Sequence, residues 1–257
     1  MNRERNQGMS RESGWIDEPG RGRRRNRRGV YLCRYFQRFG TRTADLVFPS
    51  SLYCICCGKM IDQTRTYSLC DHCMTHLRWN IEEPKVKNGL ATLKCCDYGI
   101  YARSIIFSLK YNGRTWIAEQ IGRIMADRLA DAGLVSDPAR TVFVPVPLHP
   151  AKERRRGFSQ TALITEYLSA FTGIRKAEGA LRRVKETRPM RGLGPAERRR
   201  NIEGSLRMPD AYRGFAKGKK IIIVDDFYTT GSTGEECARA LQGASPDSLW
   251  LFAFAAR

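Results

Sequence analysis

Asp225 and Asp226 are adjacent carboxylates set between two unlike stretches of chain. Before them run Ile221, Ile222, Ile223 and Val224, four β-branched residues that read as a buried strand ending at the acidic pair. After Phe227 and Tyr228 come Thr229, Thr230, Gly231, Ser232 and Thr233, a hydroxyl-rich loop around one glycine, and then a helical run from Gly234 to Leu241. A strand that ends in a polar loop and opens a helix places ligand groups at a helix N-terminus. Backbone N–H groups and the helix dipole attract phosphate there. Many Thr/Ser/Gly loops only cap their helix. Two neighbouring carboxylates at the end of a buried strand repel each other, however, and require cations or donors nearby. Carboxylates also suit sugar hydroxyls and hydrated Mg²⁺. Together these residues suggest a phosphorylated sugar held with magnesium.

A second chemistry sits upstream. Cys54-x₂-Cys57 and Cys70-x₂-Cys73 are separated by twelve residues, a spacing typical of a metal site. Each pair forms a tight knuckle, and Gly58 permits the turn behind the first. Four thiolates close a tetrahedral site, so the expected zinc is structural. Cys56 lies inside the first knuckle and His76 lies just beyond the second, and both stay open as competing ligands. Cys33, Cys95, Cys96 and Cys237 show no partner spacing and read as ordinary buried thiols. Nine cysteines, an odd count in a chain expected to be cytosolic, argue against a disulfide framework.

A third group faces the same phosphate chemistry. Val142 to Pro150 reads as a buried strand running into a proline-stiffened turn that presents backbone groups. Arg154, Arg155 and Arg156 follow, placed to grip pyrophosphate. Ser159 reads as the N-cap of a helix through Phe171. His149, beside prolines, is expected to be structural.

The elements that must position these groups alternate as a parallel sheet requires. Helical patterns cover Tyr101–Tyr111 and Trp116–Leu129, strands cover Thr141–Pro147 and Ile221–Val224, and a last strand covers Leu249–Phe254. Residues 80–96 read as a polar linker. The expected organisation is a basic disordered arm over 1–29, an amphipathic helix plus the four-cysteine module over 30–80, and an α/β domain over 81–257 with ligands at the carboxyl ends of its strands.

The net charge of +19 is concentrated. Residues 1–28 carry nine Arg against four acids, and residues 151–200 carry fourteen Lys or Arg against five acids. Such patches fit polyanions, either pyrophosphate or nucleic acid. The aromatics interleaved with the second patch are few: Phe158, Tyr167 and Phe171. No apolar run of 18 residues offers a membrane span, and the expected location is the cytosol.

Val224 to Thr233 resembles the phosphoribosyl pyrophosphate (PRPP) motif of type I phosphoribosyltransferases. In that family the acidic pair contacts ribose hydroxyls and the Thr/Gly loop cradles the 5′-phosphate. With the CxxC pairs, Leu109–Gly113, Val144–Pro150, Arg154–Gln160 and Glu197–Asn201, the chain over about residues 30–257 resembles the ComF family, the competence-associated ComFC and GntX proteins. The resemblance implies a zinc-ribbon-like module before a phosphoribosyltransferase-like parallel sheet flanked by helices. It implies Asp225 and Asp226 on the ribose, Thr229 to Thr233 on the 5′-phosphate, Arg154 to Arg156 toward the pyrophosphate, and Mg²⁺ bound with PRPP. It also implies an association with DNA uptake or utilisation and with proteins of that process. The chain departs from the family at Ser159, where Asn is usual, and at Met190, where Gln is usual. Two readings therefore stand side by side: a PRPP-using transferase or PRPP-binding protein, and a non-catalytic module handling single-stranded DNA.

Overall fold

Ile221 to Val224 lie at the centre of a six-stranded sheet, fully buried on both faces. The computed structural model describes residues 52–257 apart from 88, 112, 186, 188–191 and 230, and these belong to one compact unit. The basic arm, the helix expected over residues 30–47, Thr230 and Met190 lie outside the described residues.

The sheet contains β1 (Lys85–Lys87), β2 (Leu90–Asp97), β3 (Thr141–Pro145), β4 (Arg175–Lys176), β7 (Lys220–Tyr228) and β8 (Ser248–Ala256). Its order is β1-β2-β8-β7-β3-β4, antiparallel only between β1 and β2. Strand periodicity divides β7 between two cores. Ile222 and Val224 join a core with α2 (Ile100–Tyr111), α3 (Ile117–Asp131) and α5 (Gln160–Thr172), through Ile105, Leu109, Ile121, Met125, Ile164 and Leu168. Ile221 and Ile223 join a second core with α7 (Ser232–Leu241), through Cys237 and Leu241. The sheet is thus flanked by helices on both faces. A short antiparallel pair, β5 (Arg182–Arg183) with β6 (Leu206–Arg207), encloses α6 (Pro195–Ile202).

The close approach of α3 and α5 depends on Gly122. A methyl group there would stand 2.7 Å from Tyr167 Cβ. Neither helix can yield easily, so Gly122→Ala should cost about 1–3 kcal/mol, read as a lower urea midpoint with binding unchanged.

The region read as a linker is part of the sheet. β2 carries few β-branched residues and has Lys94 at its middle, which hides its strand character. Lys94 is tolerated because its amine lies 2.7 Å from Asp97 Oδ1. The chain just before β1 is also stitched to β2: Asn80 N donates to Cys95 O, and Asp97 N to Arg78 O, both at 2.8 Å. The four-cysteine segment, with α1 (Asp71–His76), therefore shares a core with the α2–α3 side of the sheet through Ile55, Leu69 and Leu77. Cys95, Cys96 and Cys237 are buried thiols.

Candidate functional site

β7 runs four residues beyond the end expected for it. Asp225, Phe227 and Tyr228 remain paired with Ala253, Ala255 and Ala256 of β8. On the other edge β3 stops at Pro145, opposite Val224, and Val146 N makes the last contact, donating to Val224 O at 2.9 Å. A notch opens where β3 turns away, so the acidic pair lines it from inside a strand. From β3 the chain passes through α5 on one face to β4. From β7 it passes through α7 on the other face to β8. The notch is a topological switch point, where open parallel sheets bind ligands.

Adjacent strand residues project to opposite faces, and the two carboxylates do so here. Asp226 points toward α2, where Lys110 Nζ stands 2.6 Å from its Oδ2. The contact is an ion pair turned out of hydrogen-bonding geometry, and Oδ2 stays buried without a hydrogen bond among the described residues. Asp225 lies on the α7 side, within the field of Arg183, and its Oδ1 accepts from Asp226 N at 2.9 Å. Burial first, and the Asp226 charge second, push the Asp225 carboxyl from its ordinary 3.8 up to about 7. Arg183 donates to Pro147 O at 3.2 Å and to Thr187 Oγ1 at 3.0 Å, and burial pulls its guanidinium down.

The raised carboxyl makes a stability prediction. Unfolded, Asp225 loses its proton near pH 4; folded, it keeps it to about pH 7. Between those values the folded state binds more protons, so stability falls as pH rises from about 4 to about 7 and is level above. Asp225→Asn should flatten that limb in urea titrations across the range. An unchanged slope would assign it to another group.

The hydroxyl loop begins at Thr229, whose Oγ1 accepts from Arg198 of α6 at 2.8 Å. Arg198 Nε is buried and has no partner among the described residues. Gly231 turns the chain with φ 78°, a left-handed angle that favours glycine, and caps α7. The first bond of α7 is Glu235 N to Gly231 O at 2.8 Å, so the turn before it offers backbone amides outward. Ser232 is buried and Thr233 half-buried in that turn.

The arginine run lies within a helix. α4 (Pro150–Arg156) starts at Pro150, is capped by His149 Nδ1 accepting from Ala151 N, and stops at Gly157. His149 is structural, as expected. Helical steps of about 100° spread Arg154, Arg155 and Arg156 around the last turn. Arg154 and Arg155 are exposed, while Arg156 donates to Gln160 Oε1. Ser159 caps α5, accepting from Ala162 N at 3.4 Å. Lys110, Arg183 and Arg198 are the cations that meet the acidic pair and the loop, and sequence assigns none of them an individual role. All three lie inside segments that resemble the family, which is the signal available.

The four cysteines gather as their spacing implies. The sulfurs of Cys54, Cys57, Cys70 and Cys73 lie within 4.8 Å of one another, a group that could hold a metal ion and that excludes Cys56 and His76. Cys57 and Cys70 sulfurs are 3.8 Å apart, close to the tetrahedron edge expected for metal–sulfur bonds of about 2.3 Å. Burial would raise the Cys54 thiol, but the amides of Cys57, Cys70 and Cys56 bring it down to about 7, whereas burial pushes the Cys57 and Cys73 thiols up. Cys56 is pushed up to about 11, chiefly by burial. His76 Nδ1 is 2.8 Å from His72 O.

No family model matches the chain. It is 26% identical over 205 residues to Competence protein F of Haemophilus influenzae, covering 77% of this chain and 89% of that protein. It is 30% identical over 159 residues to the DNA utilization protein YhgH of Salmonella typhimurium, covering 60% of this chain and 67% of that protein. The chain belongs to the ComF family. Competence protein ComFC of Bacillus subtilis is a more partial relative of this ComF chain, 30% identical over 126 residues and 48% of each protein. Among the described residues no ComF-family helix is long and apolar enough to cross a membrane.

Proposed function

We propose that the notch binds PRPP, or a closely related phosphorylated sugar, with Mg²⁺, in a protein associated with DNA uptake or utilisation. The observation that carries this reading is the buried acidic pair lining a switch-point notch beside the Thr229–Thr233 loop. The loop and the α7 N-terminus would take the 5′-phosphate. Asp225 and Asp226 would accept from ribose hydroxyls. The buried Asp226 Oδ2, short of a hydrogen bond, fits a site completed by a hydroxyl donor or a hydrated cation. Mg²⁺, when bound, would screen the diphosphate charge. The chemistry such a site supports is displacement at the anomeric carbon. The C1′–O bond to pyrophosphate breaks as a bond to the incoming nucleophile forms, and nearby positive charge steadies the leaving group.

For the four-cysteine group the reading is structural zinc, on the fit of four close sulfurs from two CxxC pairs. The names of the relatives, competence and DNA utilisation, motivate the biological association and competence proteins as partners. Calorimetric titration of the full chain with PRPP and Mg²⁺ tests the sugar-phosphate reading. Binding that is lost in Asp225→Asn/Asp226→Asn supports it, and no binding by the wild type removes it.

A further inference from the structure

We infer that the outer face of α2, with the end of α4, is a stacking platform for the unpaired bases of single-stranded nucleic acid. At 100° per residue, Ile100, Phe107 and Tyr111 fall within about 20° of one line along α2. All three face solvent, at 75%, 50% and 63% exposure. The Phe107 and Tyr111 rings are 4.4 Å apart, and the Arg156 guanidinium lies 5.6 Å over Tyr111. An exposed aromatic pair with a guanidinium on its outer ring is a surface suited to flat π-systems.

Charge selects the polymer over a free base. Arg103 on α2, Arg114 after it, and Arg154 and Arg155 on the same turn as Arg156 are all exposed. None of the four makes an ion pair among the described residues. A single base needs no such row of cations, whereas a strand brings a phosphate with each base. Duplex DNA keeps its bases stacked inside and offers no ring to Phe107 or Tyr111. The aromatics visible within residues 151–200 serve otherwise. Phe158 and Tyr167 pack against the α2–α3 core, and Phe171 sits under Arg123 at 4.7 Å. The platform rings come instead from α2, distant in sequence and joined to the arginine run only by the fold. Lys110, next to Tyr111, places the platform at the lip of the notch.

The test uses the full chain and a labelled oligothymidylate of about 16 nucleotides, followed by fluorescence anisotropy. Phe107→Ala and Tyr111→Ala should each weaken binding by about 5- to 150-fold, while Tyr111→Phe stays near wild type. Arg155→Ala should lower the salt slope by about one. An abasic strand of the same length should bind the wild type as weakly as oligothymidylate binds the double alanine variant. Both alanine variants should keep the wild-type melting temperature, because the rings are exposed. Equal affinity for the abasic strand, undiminished binding by the alanine variants, or no strand binding by the wild type would overturn the platform. So would competition by free thymidine at the oligonucleotide's own affinity, which would mark a small-molecule pocket. PRPP binding should survive Phe107→Ala, so the platform and the sugar-phosphate reading fail separately.

Discussion

Substituting Cys73 by serine should abolish zinc binding at the four-cysteine group and unfold the segment that carries it. The expected readouts are a fall from one zinc per chain to none and a lower, broader thermal transition. The physical basis is the size of the parts. Among the described residues, the segment before β1 has a three-residue 3₁₀ turn, Thr66–Ser68, the six-residue α1, and the single bridges Tyr53–Met60 and Trp79–Cys96. Elements this short do not hold themselves together in water. Structural zinc contributes about 10–16 kcal/mol in small zinc peptides. Here Ile55, Leu69 and Leu77 also pack into the α2–α3 core, so part of the fold survives the metal. Loss should therefore be local, with β7 and β8 keeping their hydrogen-exchange protection. Cys56→Ser is the control and should retain the metal, because Cys56 stands outside the four-sulfur group. Unchanged zinc in Cys73→Ser would refute the assignment.

The second large effect is on ligand binding. Replacing both carboxylates by amides removes every negative charge of the pair while nearly conserving shape. Hydrogen bonds to charged groups contribute about 1.5–3 kcal/mol each, so two lost together should weaken PRPP binding by at least about 100-fold in calorimetry. The two positions should not behave alike. Asp226→Asn also strands Lys110 beside a neutral group, and a half-removed buried ion pair is costly. Asp225→Asn removes a carboxyl that burial already drives toward neutrality, and it should be tolerated better by the fold. A double variant that folds and binds like the wild type would end the proposal.

Much of this was legible in the residues. Strong periodicity marked α2, α3 and α5 to within two residues, and the paired CxxC knuckles foretold the sulfur cluster. Proline and arginine were more deceptive. Pro150 looked like the end of a rigid turn, yet it opens α4, because proline at the first helical position loses no intrahelical bond. β2 escapes a sequence reading because a strand buried on both faces shows no polar alternation, and Lys94 disguises it. β7 outruns its β-branched residues because one neighbour, β3, departs at Val224 while the other, β8, continues. Propensity does not report which edge of a strand loses its partner. The roles of Lys110 and Arg198 depend on contacts spanning 116 and 31 positions, which no local pattern encodes.

The first cysteine knuckle is also a bracket for α2. Ser104 Oγ donates to Cys56 O at 2.7 Å, and Cys56 Sγ lies 3.6 Å from Tyr101 O. The same helix carries Lys110 to Asp226 two turns later. A metal on the knuckle and a ligand in the notch would therefore hold opposite ends of one rigid rod. Thermodynamic reciprocity follows: by whatever factor zinc tightens the sugar phosphate, the sugar phosphate must tighten zinc. Under the proposed reading, zinc at the knuckle would act on the notch's ligand affinity through α2, with no zinc entering the notch.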